Sequence, residues 1–381
     1  MRILLSGVPA FGHLLPLAPL AAAAHRAGHE VRLLTSGGMT DVIAADIPDA
    51  PVLGAGPMPD VVFAEVARRF DGSDPARNPQ PETVADFFAG SRVDLSVDEA
   101  IEKARAFAPD LIIAEATDFV GPMVAAALGV PWSVLAFGPA VPDEFTAPMR
   151  EVVSARYRER NLTSTAPKNY IDPSPEALQQ PGWVSPVNRL PIRTGAHSRA
   201  ESSGYVSLFP AGSGKKNVLI TLGTVFSDPT VVSTIISSID RTRFNIVATK
   251  GVIPGVRYPE DEDGLSYVSF VPLAELLNDV DIVVNAGGAG TVLGTLSRGI
   301  PMVVWPQGAD QFINAARAAA SGSAIVVNDP GEIGASLRAI TENAHISDAA
   351  HRVAEEIESL PTTGDVIAEL LRQVASAEAA A

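Results

Sequence analysis

Two potential catalytic groups, an imidazole and a carboxylate, follow predicted strands in the first half of the chain. His13 comes shortly after the apolar segment Ile3–Gly7, and Glu115 directly follows the apolar segment Leu111–Ala114. An imidazole can take a proton from a substrate near neutral pH, and a neighbouring carboxylate orients the ring and stabilises its cation. His13 is therefore a candidate general base, and Glu115 and Asp118 are candidate carboxylate partners for it.

Each of these residues also has a structural explanation that the sequence leaves open. A histidine at the start of a helix is often a cap or a surface residue. A carboxylate just before a helix can accept hydrogen bonds from the first backbone N–H groups of that helix. Such capping of the helix predicted from Phe119 is the stronger alternative for Asp118.

A glycine-rich turn in the second half of the chain is a candidate site for a phosphate group. Asp281–Thr291 reads as a strand, a turn with three glycines and the first turn of a helix. Glycines let a ligand approach the backbone closely, and a helix amino terminus offers N–H donors with partial positive charge. Packing alone can also produce such a unit. After the next predicted strand come Asp310 and Gln311, whose carboxylate and amide can hydrogen-bond vicinal sugar hydroxyls.

Short apolar strands alternate with amphipathic helices along the chain, a pattern typical of parallel α/β sheets. A stretch rich in Pro, Gly and Ser, residues 186–214, separates two such series. Ligands bind at the carboxyl ends of parallel strands, so we expect two Rossmann-like domains facing each other across a cleft. We predict a first domain at 1–205, a linker at 206–216, a second domain at 217–347 and a helical segment at 348–381.

The composition excludes several classes of function. The 381 residues include 46% hydrophobic and 19% charged residues, which fits a globular protein of two domains. A formal net charge of −16 argues against nucleic acid and anionic membranes as partners. There is no cysteine and no clustered acidic motif, so we expect no metal and no cofactor. We predict a cytoplasmic protein, since no apolar run reaches the roughly 20 residues of a membrane span and the first residues lack a signal-peptide pattern.

Four motifs, taken together, resemble the donor-binding half of family 1 glycosyltransferases, which have the GT-B fold. The stretch Val284–Thr291, followed by Pro306–Gln311 and Asn314–Ala316, is similar to the signature of that family. Phe270–Leu273 and Thr221–Thr224 precede it in the family order. The chain resembles in particular the actinomycete enzymes that glycosylate polyketides and other antibiotics.

The resemblance implies a TDP- or UDP-sugar as donor substrate and assigns roles to matching residues. Phe270 would stack on the nucleobase, and backbone groups of Val271 would bind its edge. The diphosphate would lie on two turns, and Asp310 and Gln311 would hold the sugar hydroxyls. The residues of the two turns are Gly223, Thr224, Gly288, Ala289, Gly290 and Thr291. The Gly-His-x-x-Pro spelling around His13 is also similar to the family, whose matching histidine is the base. Glu115 matches the Asp or Glu that usually partners this histidine in the family, so the resemblance implies that His13 is the base and Glu115 its partner.

Two positions depart from the family pattern. Ala286 stands where relatives usually have a histidine that contacts a phosphate. Losing a hydrogen bond to a charged group costs about 1.5–3 kcal/mol, so donor binding is expected to be weaker but not abolished. Gly294 stands where relatives that use ribonucleotide sugars often have an acidic residue that binds the ribose hydroxyls. The absence of this acidic residue favours a 2′-deoxyribonucleotide such as TDP.

The resemblance also places the acceptor pocket in the first domain, where aromatic side chains would bind a hydrophobic aglycone. The candidates that we single out are Phe63, Phe87, Phe137 and Phe145, and the other aromatic residues considered are Phe70, Phe88, Trp132 and Trp183. We therefore predict an inverting glycosyltransferase that moves a deoxysugar from a TDP-sugar to a polyketide-type aglycone, with an O- or a C-linkage. A non-catalytic auxiliary protein and a nucleotide-sugar 2-epimerase are the alternatives, and the sequence leaves a homodimer open.

Overall fold

The chain folds into two compact units, each made of discontinuous segments. The computed structural model describes residues 1–73, 80–199, 207–223, 229–251, 258, 260–269 and 271–380. Unit 1 comprises Met1–Pro173, Trp183–Ile192 and Pro361–Ala381, and unit 2 comprises Ser174–Gly182 and Arg193–Leu360. None of the helices within these described residues combines the length and the apolar character that a membrane crossing needs.

Unit 1 is built on a seven-stranded parallel sheet with the order β3-β2-β1-β4-β5-β6-β7. Its strands are β1 (Arg2–Ser6), β2 (Glu30–Thr35), β3 (Val52–Gly54), β4 (Leu111–Glu115), β5 (Trp132–Leu135), β6 (Asn169–Asp172) and β7 (Asn188–Pro191). The central strands are apolar because helices cover both faces of the sheet, and every residue of β4 is buried. The strand order reverses between β1 and β4, which makes their carboxyl ends the switch point where ligands bind in such sheets.

The helices of unit 1 enclose two apolar cores, one on each face of the sheet. They are α1 (Phe11–Leu14), α2 (Ala18–Arg26), α3 (Thr40–Ile43), α4 (Pro59–Arg69), α5 (Pro81–Ala85), α6 (Arg92–Phe107), α7 (Val120–Leu128) and α8 (Asp143–Glu159). A π-helical segment, Asp86–Ser91, joins α5 to α6. Gly129 ends α7 in the left-handed conformation, with φ of 68°.

Unit 2 repeats this architecture with a six-stranded parallel sheet of order β10-β9-β8-β11-β12-β13. Its strands are β8 (Lys216–Thr221), β9 (Phe244–Thr249), β10 (Leu265–Val268), β11 (Ile282–Asn285), β12 (Met302–Val304) and β13 (Ala324–Val326). Its helices are α9 (Pro229–Ser238), α10 (Leu273–Leu276), α11 (Ala289–Leu296), α12 (Gln311–Ala320), α13 (Ile333–Glu342) and α14 (Ala344–Ser359). The switch point of this sheet lies between β8 and β11.

The last helix, α15 (Thr363–Ala380), packs in unit 1 although unit 2 precedes it in the chain. Its buried face includes Val366 and Leu370, which lie in the same apolar core as Leu20 and Ala24 of α2. Pro361 lies between α15 and α14, where a proline interrupts helical hydrogen bonding.

The prediction of two Rossmann-like parallel sheets is confirmed, and the division of the chain differs from the predicted one. The predicted first domain ran to residue 205, whereas unit 2 already includes Ser174–Gly182 and begins again at Arg193. The predicted terminal segment, 348–381, is divided between the units, because α14 contributes to a core of unit 2 and α15 to a core of unit 1. Contacts between helices that are distant in sequence decide this division.

We expect the substitution Leu370→Ala to lower the free energy of unfolding of unit 1 by about 2–4 kcal/mol, because it leaves a cavity between α15 and α2. Arg372→Ala on the exposed side of the same helix is the control, with an expected change within about 0.5 kcal/mol. Denaturant unfolding followed by circular dichroism measures both. Equal effects of the two substitutions would mean that α15 does not stabilise unit 1.

Candidate active site

His13 and Glu115 meet at the switch point of unit 1. His13 lies in α1, which follows β1 after a short turn, and Glu115 is the last residue of β4, the strand paired with β1. The Nδ1 atom of His13 lies 3.3 Å from Oε1 of Glu115. The glutamate side chain is fully buried, whereas 23% of the histidine side chain is exposed. The two residues predicted as a pair are therefore in contact, and the histidine is the member that a ligand can reach.

The Glu115 carboxylate is held in its ionised form by its neighbours. The backbone N–H of Thr117 donates to Oε2 at 2.8 Å, and the N–H of Val8 donates to Oε1 at 3.4 Å. The Thr117 hydroxyl lies 3.0 Å from each carboxylate oxygen. Burial raises the pKa of Glu115, but the charge and hydrogen bond of His13 and the hydrogen bonds of Thr117 outweigh it, so the pKa is lower than usual. Glu115 is therefore a carboxylate at neutral pH and not a proton donor.

Asp118 has a structural role at the start of α7. It accepts hydrogen bonds from the backbone N–H groups of Val120 at 3.3 Å and Gly121 at 3.0 Å, and from the hydroxyl of Ser6. The buried guanidinium of Arg92 lies 3.0 Å from its carboxylate. The capping alternative for Asp118 is thus confirmed, and its bonds do not include His13.

Phe88 and Phe137 flank the ring of His13. The centroids of the two phenyl rings lie 5.8 and 5.6 Å from that of the imidazole. Phe88 lies in the π-helical segment, which also holds Phe87; a π-helical turn changes the direction of side chains relative to a regular helix. The predicted acceptor residue Phe137 is therefore beside the histidine, as is Phe88, which the sequence analysis considered but did not single out.

The other three predicted acceptor residues are placed differently. Phe87 is buried and stacks on Phe63 with 4.5 Å between ring centroids, in a small apolar cluster with Val8 and Val66. This cluster borders the site through Val8, which also donates to Glu115. Phe145 in α8 is 48% exposed.

The predicted phosphate-binding turn lies at the switch point of unit 2. Gly287 has φ of 88°, and an added Cβ would lie 2.8 Å from the carbonyl oxygen of Gln311. The side chain of Asn285 accepts from the Gly287 N–H at 2.7 Å, and the amide of Asn314 donates to the Gly287 carbonyl at 2.9 Å. This turn leads into α11, with Gly288 at its N-cap. The first amides of a helix have no carbonyl one turn earlier, so those of Ala289 and Gly290 suit an anion. The N–H of Thr291 donates to the carbonyl of Gly288 at 3.0 Å.

The predicted sugar-binding residues, Asp310 and Gln311, are fixed by local hydrogen bonds. The side-chain oxygen of Gln311 accepts from the N–H groups of Gln307 at 2.8 Å and Gly308 at 3.2 Å. One carboxylate oxygen of Asp310 accepts from the amide of Asn314 at 2.8 Å. Asn314 therefore joins this loop to the glycine turn, a role that sequence reasoning missed. Its position one helical turn after Asp310 was the available signal.

The remaining donor residues have different environments. Gly223, directly after β8, has φ of 77° and is exposed. Val271 is partly buried against an apolar core of unit 2. Thr224 and Phe270 lie outside the described residues.

The two departures from the family pattern have clear surroundings. Ala286 is only 4% exposed and belongs to an apolar core of unit 2, beside the buried end of β11. Gly294 lies in α11 under the segment that enters unit 2, and an added Cβ would lie 2.9 Å from Leu273 and 3.0 Å from the backbone of Ala196. A larger side chain at this position would therefore have to displace Leu273 and Ala196.

Comparisons with known proteins agree with this architecture. Residues 22–193 match the family described as erythromycin biosynthesis protein CIII-like, N-terminal domain, and residues 245–372 match the C-terminal domain of the same family. The two matches cover well over half of the chain. The chain belongs to the erythromycin biosynthesis protein CIII-like family, and it is a glycosyltransferase. The resemblance found in the sequence is confirmed.

Individual relatives extend over nearly the whole chain. The L-demethylnoviosyl transferase of Streptomyces niveus is 28% identical, and the alignment covers 97% of both chains. The glycosyltransferase SnogD from Streptomyces nogalater is 27% identical, with a TM-score of 0.80 and coverage of 98% of this chain and 99% of that one. SsfS6 from Streptomyces sp. SF2575, solved in complex with thymidine diphosphate, is 24% identical, with a TM-score of 0.79 and the same coverage.

We expect Gly294→Ala to lower the free energy of unfolding by about 1–3 kcal/mol, because a methyl group there overlaps Leu273 and Ala196. Gly290→Ala in the same helix is the matched control, since an added Cβ there meets nothing within 4 Å. The control is expected to be neutral or stabilising. Thermal unfolding compares the two, and an equal stability of both variants would show that Gly294 is not packed as described.

Proposed function

We propose that the protein is an inverting glycosyltransferase that moves a deoxysugar from a TDP-sugar to a hydrophobic, polyketide-type aglycone. The observation that carries the proposal is the contact between His13 and the ionised, buried Glu115 at one switch point, with a glycine turn and helix amino terminus at the other. The first is suited to take a proton and the second to bind a diphosphate.

The proposed reaction is a single displacement at the anomeric carbon. The acceptor oxygen attacks this carbon on the face opposite to the TDP leaving group, which inverts its configuration. His13 removes the proton of the acceptor hydroxyl as the new C–O bond forms and the bond to the TDP oxygen breaks. Glu115 stabilises the resulting imidazolium, and the negative charge that develops on TDP is stabilised by amides near Gly288–Thr291. In a C-linkage, a phenol deprotonated in the same way would attack through its ortho carbon.

Two features support the choice of substrates. The rings of Phe88 and Phe137 beside His13 offer an apolar surface to a flat or hydrophobic acceptor, in a family named after the biosynthesis of an antibiotic. Gly294 supplies no acid for ribose hydroxyls, and packing against Leu273 and Ala196 disfavours a larger side chain there, which favours a 2′-deoxyribonucleotide. SsfS6, which shares the fold, was solved with thymidine diphosphate. Asp310 and Gln311 are proposed to bind the sugar.

His13→Ala is expected to lower kcat by about 10²–10⁴-fold, since it removes the general base. A panel of TDP-deoxysugars and polyketide aglycones is first screened for the donor and acceptor pair that the wild-type protein uses. The rate of TDP release on that pair is then measured for each variant. His25→Ala is the matched control, because His25 is an exposed residue of α2 that lies 3.8 Å from Asp49. Unchanged turnover in His13→Ala on that pair would refute the proposed mechanism.

TDP is expected to raise the melting temperature more than UDP or GDP at equal concentration. A ligand at 100 times its dissociation constant stabilises the folded state by about 2.7 kcal/mol. Gln311→Ala should reduce this shift only slightly, because TDP lacks the sugar, and should reduce the shift given by a TDP-sugar more. A larger shift with GDP than with TDP would refute the donor assignment.

A further inference from the structure

Thr117 contacts both members of the proposed catalytic pair. It lies in the turn after β4, two residues beyond Glu115. Its Oγ1 atom is 3.1 Å from Nδ1 of His13 and 3.0 Å from each carboxylate oxygen of Glu115. The family resemblance gave Thr117 no role, and nothing in the sequence pattern singles it out.

The number of protons on Thr117, His13 and Glu115 determines which of these groups donates each hydrogen bond. A threonine hydroxyl has one proton and two lone pairs, and an ionised carboxylate can only accept. The hydroxyl proton of Thr117 therefore goes to Glu115, so that a lone pair of Oγ1 faces the imidazole. Among the described residues, Oγ1 of Thr117 and Oε1 of Glu115 lie beside Nδ1, and both are then acceptors. Nδ1 must carry the proton, and Nε2 is the basic nitrogen of neutral His13.

We propose that Thr117 is a positioning residue that fixes the tautomer and the orientation of His13 through its hydroxyl group. The inference rests on the proposed role of His13 as the base. The hydroxyl oxygen, the negative end of the O–H dipole, faces the imidazole. It therefore also stabilises the imidazolium that forms when His13 takes a proton. Glu115 alone, at 3.3 Å from Nδ1, holds the ring less tightly than the two acceptors together.

Among the described residues, the aromatic rings and the further charged groups near His13 do not provide this function. Phe88 and Phe137, which pack against the ring from the π-helical segment and from the loop after β5, carry no charge or hydrogen-bonding group. Arg92 and Asp118, the further charged residues at this edge of the sheet, are paired with each other at 3.0 Å. The hydrogen bonds of Asp118 go to Ser6 and to the start of α7.

The chain contains a matched control for the local geometry of Thr117. In unit 2, the N–H and hydroxyl of Thr242 donate to the side chain of Asp240, two residues earlier, at 3.0 and 2.6 Å. This turn repeats the threonine-to-carboxylate hydrogen bonds seen at Glu115 and Thr117. Thr242→Val therefore shows the effect of removing such a hydroxyl where no catalytic histidine is involved.

The test is an NMR titration of the histidine side chains in the full-length protein, which needs no substrate. His13→Ala assigns the His13 signal by its loss. Thr117→Val should lower the pKa of His13 by about 0.5–1 unit, because the imidazolium loses an acceptor, whereas Thr117→Ser should restore the wild-type value. Thr242→Val should leave it unchanged. Long-range ¹H–¹⁵N spectra should show Nδ1 protonated in the neutral wild-type ring.

The turnover of the same variants completes the test. Thr117→Val should lower kcat about tenfold with little change in KM, and Thr117→Ser should stay within about twofold of wild type. If valine destabilises the protein, Thr117→Ala replaces it. An unchanged His13 pKa in the hydroxyl-free variant, or a serine variant that fails to restore it, would overturn the proposal. Unchanged turnover in His13→Ala would instead refute the proposed function, so the two failures are distinguishable.

Discussion

A carboxylate that is fully buried must be surrounded by donors and positive charge, and the active-site edge of unit 1 meets this requirement around Glu115. The strand that holds it is apolar and central, so water is replaced by the N–H groups of Val8 and Thr117 and by the imidazole of His13. The close approach of β1 and β4 makes this arrangement tight. At Gly7, an added Cβ would lie 2.8 Å from Leu14 and 3.4 Å from Glu115.

The same interaction links fold and chemistry. Desolvation strengthens the attraction between the carboxylate and an imidazolium, because the effective dielectric constant is lower than in water. The pKa of Glu115 is lower in the folded than in the unfolded protein. The ionised carboxylate therefore stabilises the folded state above the pKa of the unfolded state, and this stabilisation is lost as the pH falls through the pKa of the folded state. A buried pair of this kind is costly when one partner is removed. A pH at which Glu115 is ionised therefore both stabilises the site and keeps His13 oriented.

Unit 2 uses the corresponding edge of its sheet in a different way. Its switch point holds backbone amides instead of a titratable pair, and the amide side chains of Asn285 and Asn314 fix the conformation of the glycine turn. Ala286 is buried in the apolar core there and offers no side-chain donor to a ligand. The same parallel architecture thus places a buried carboxylate–imidazole pair at the switch point of one unit and backbone amides of a glycine turn at that of the other.

Much of this protein follows from its sequence, because apolar strands buried on two faces and glycines at positive φ leave local patterns. The alternation of strands and helices, the positions of His13 and Glu115 after apolar strands and the turn at Gly287 are local signals of this kind. Strands β3, at one edge of the sheet, and β6 and β7, at the other, were missed because they have only three or four residues each, and β3 and β7 are incompletely buried. The placement of Phe88 beside His13, the crowding at Gly294 and the return of α15 to unit 1 depend on contacts between distant segments. The sequence by itself determined which groups are available for chemistry and on which strands they end. Only the tertiary structure decided which of them touch, because packing between segments far apart in the chain sets those distances.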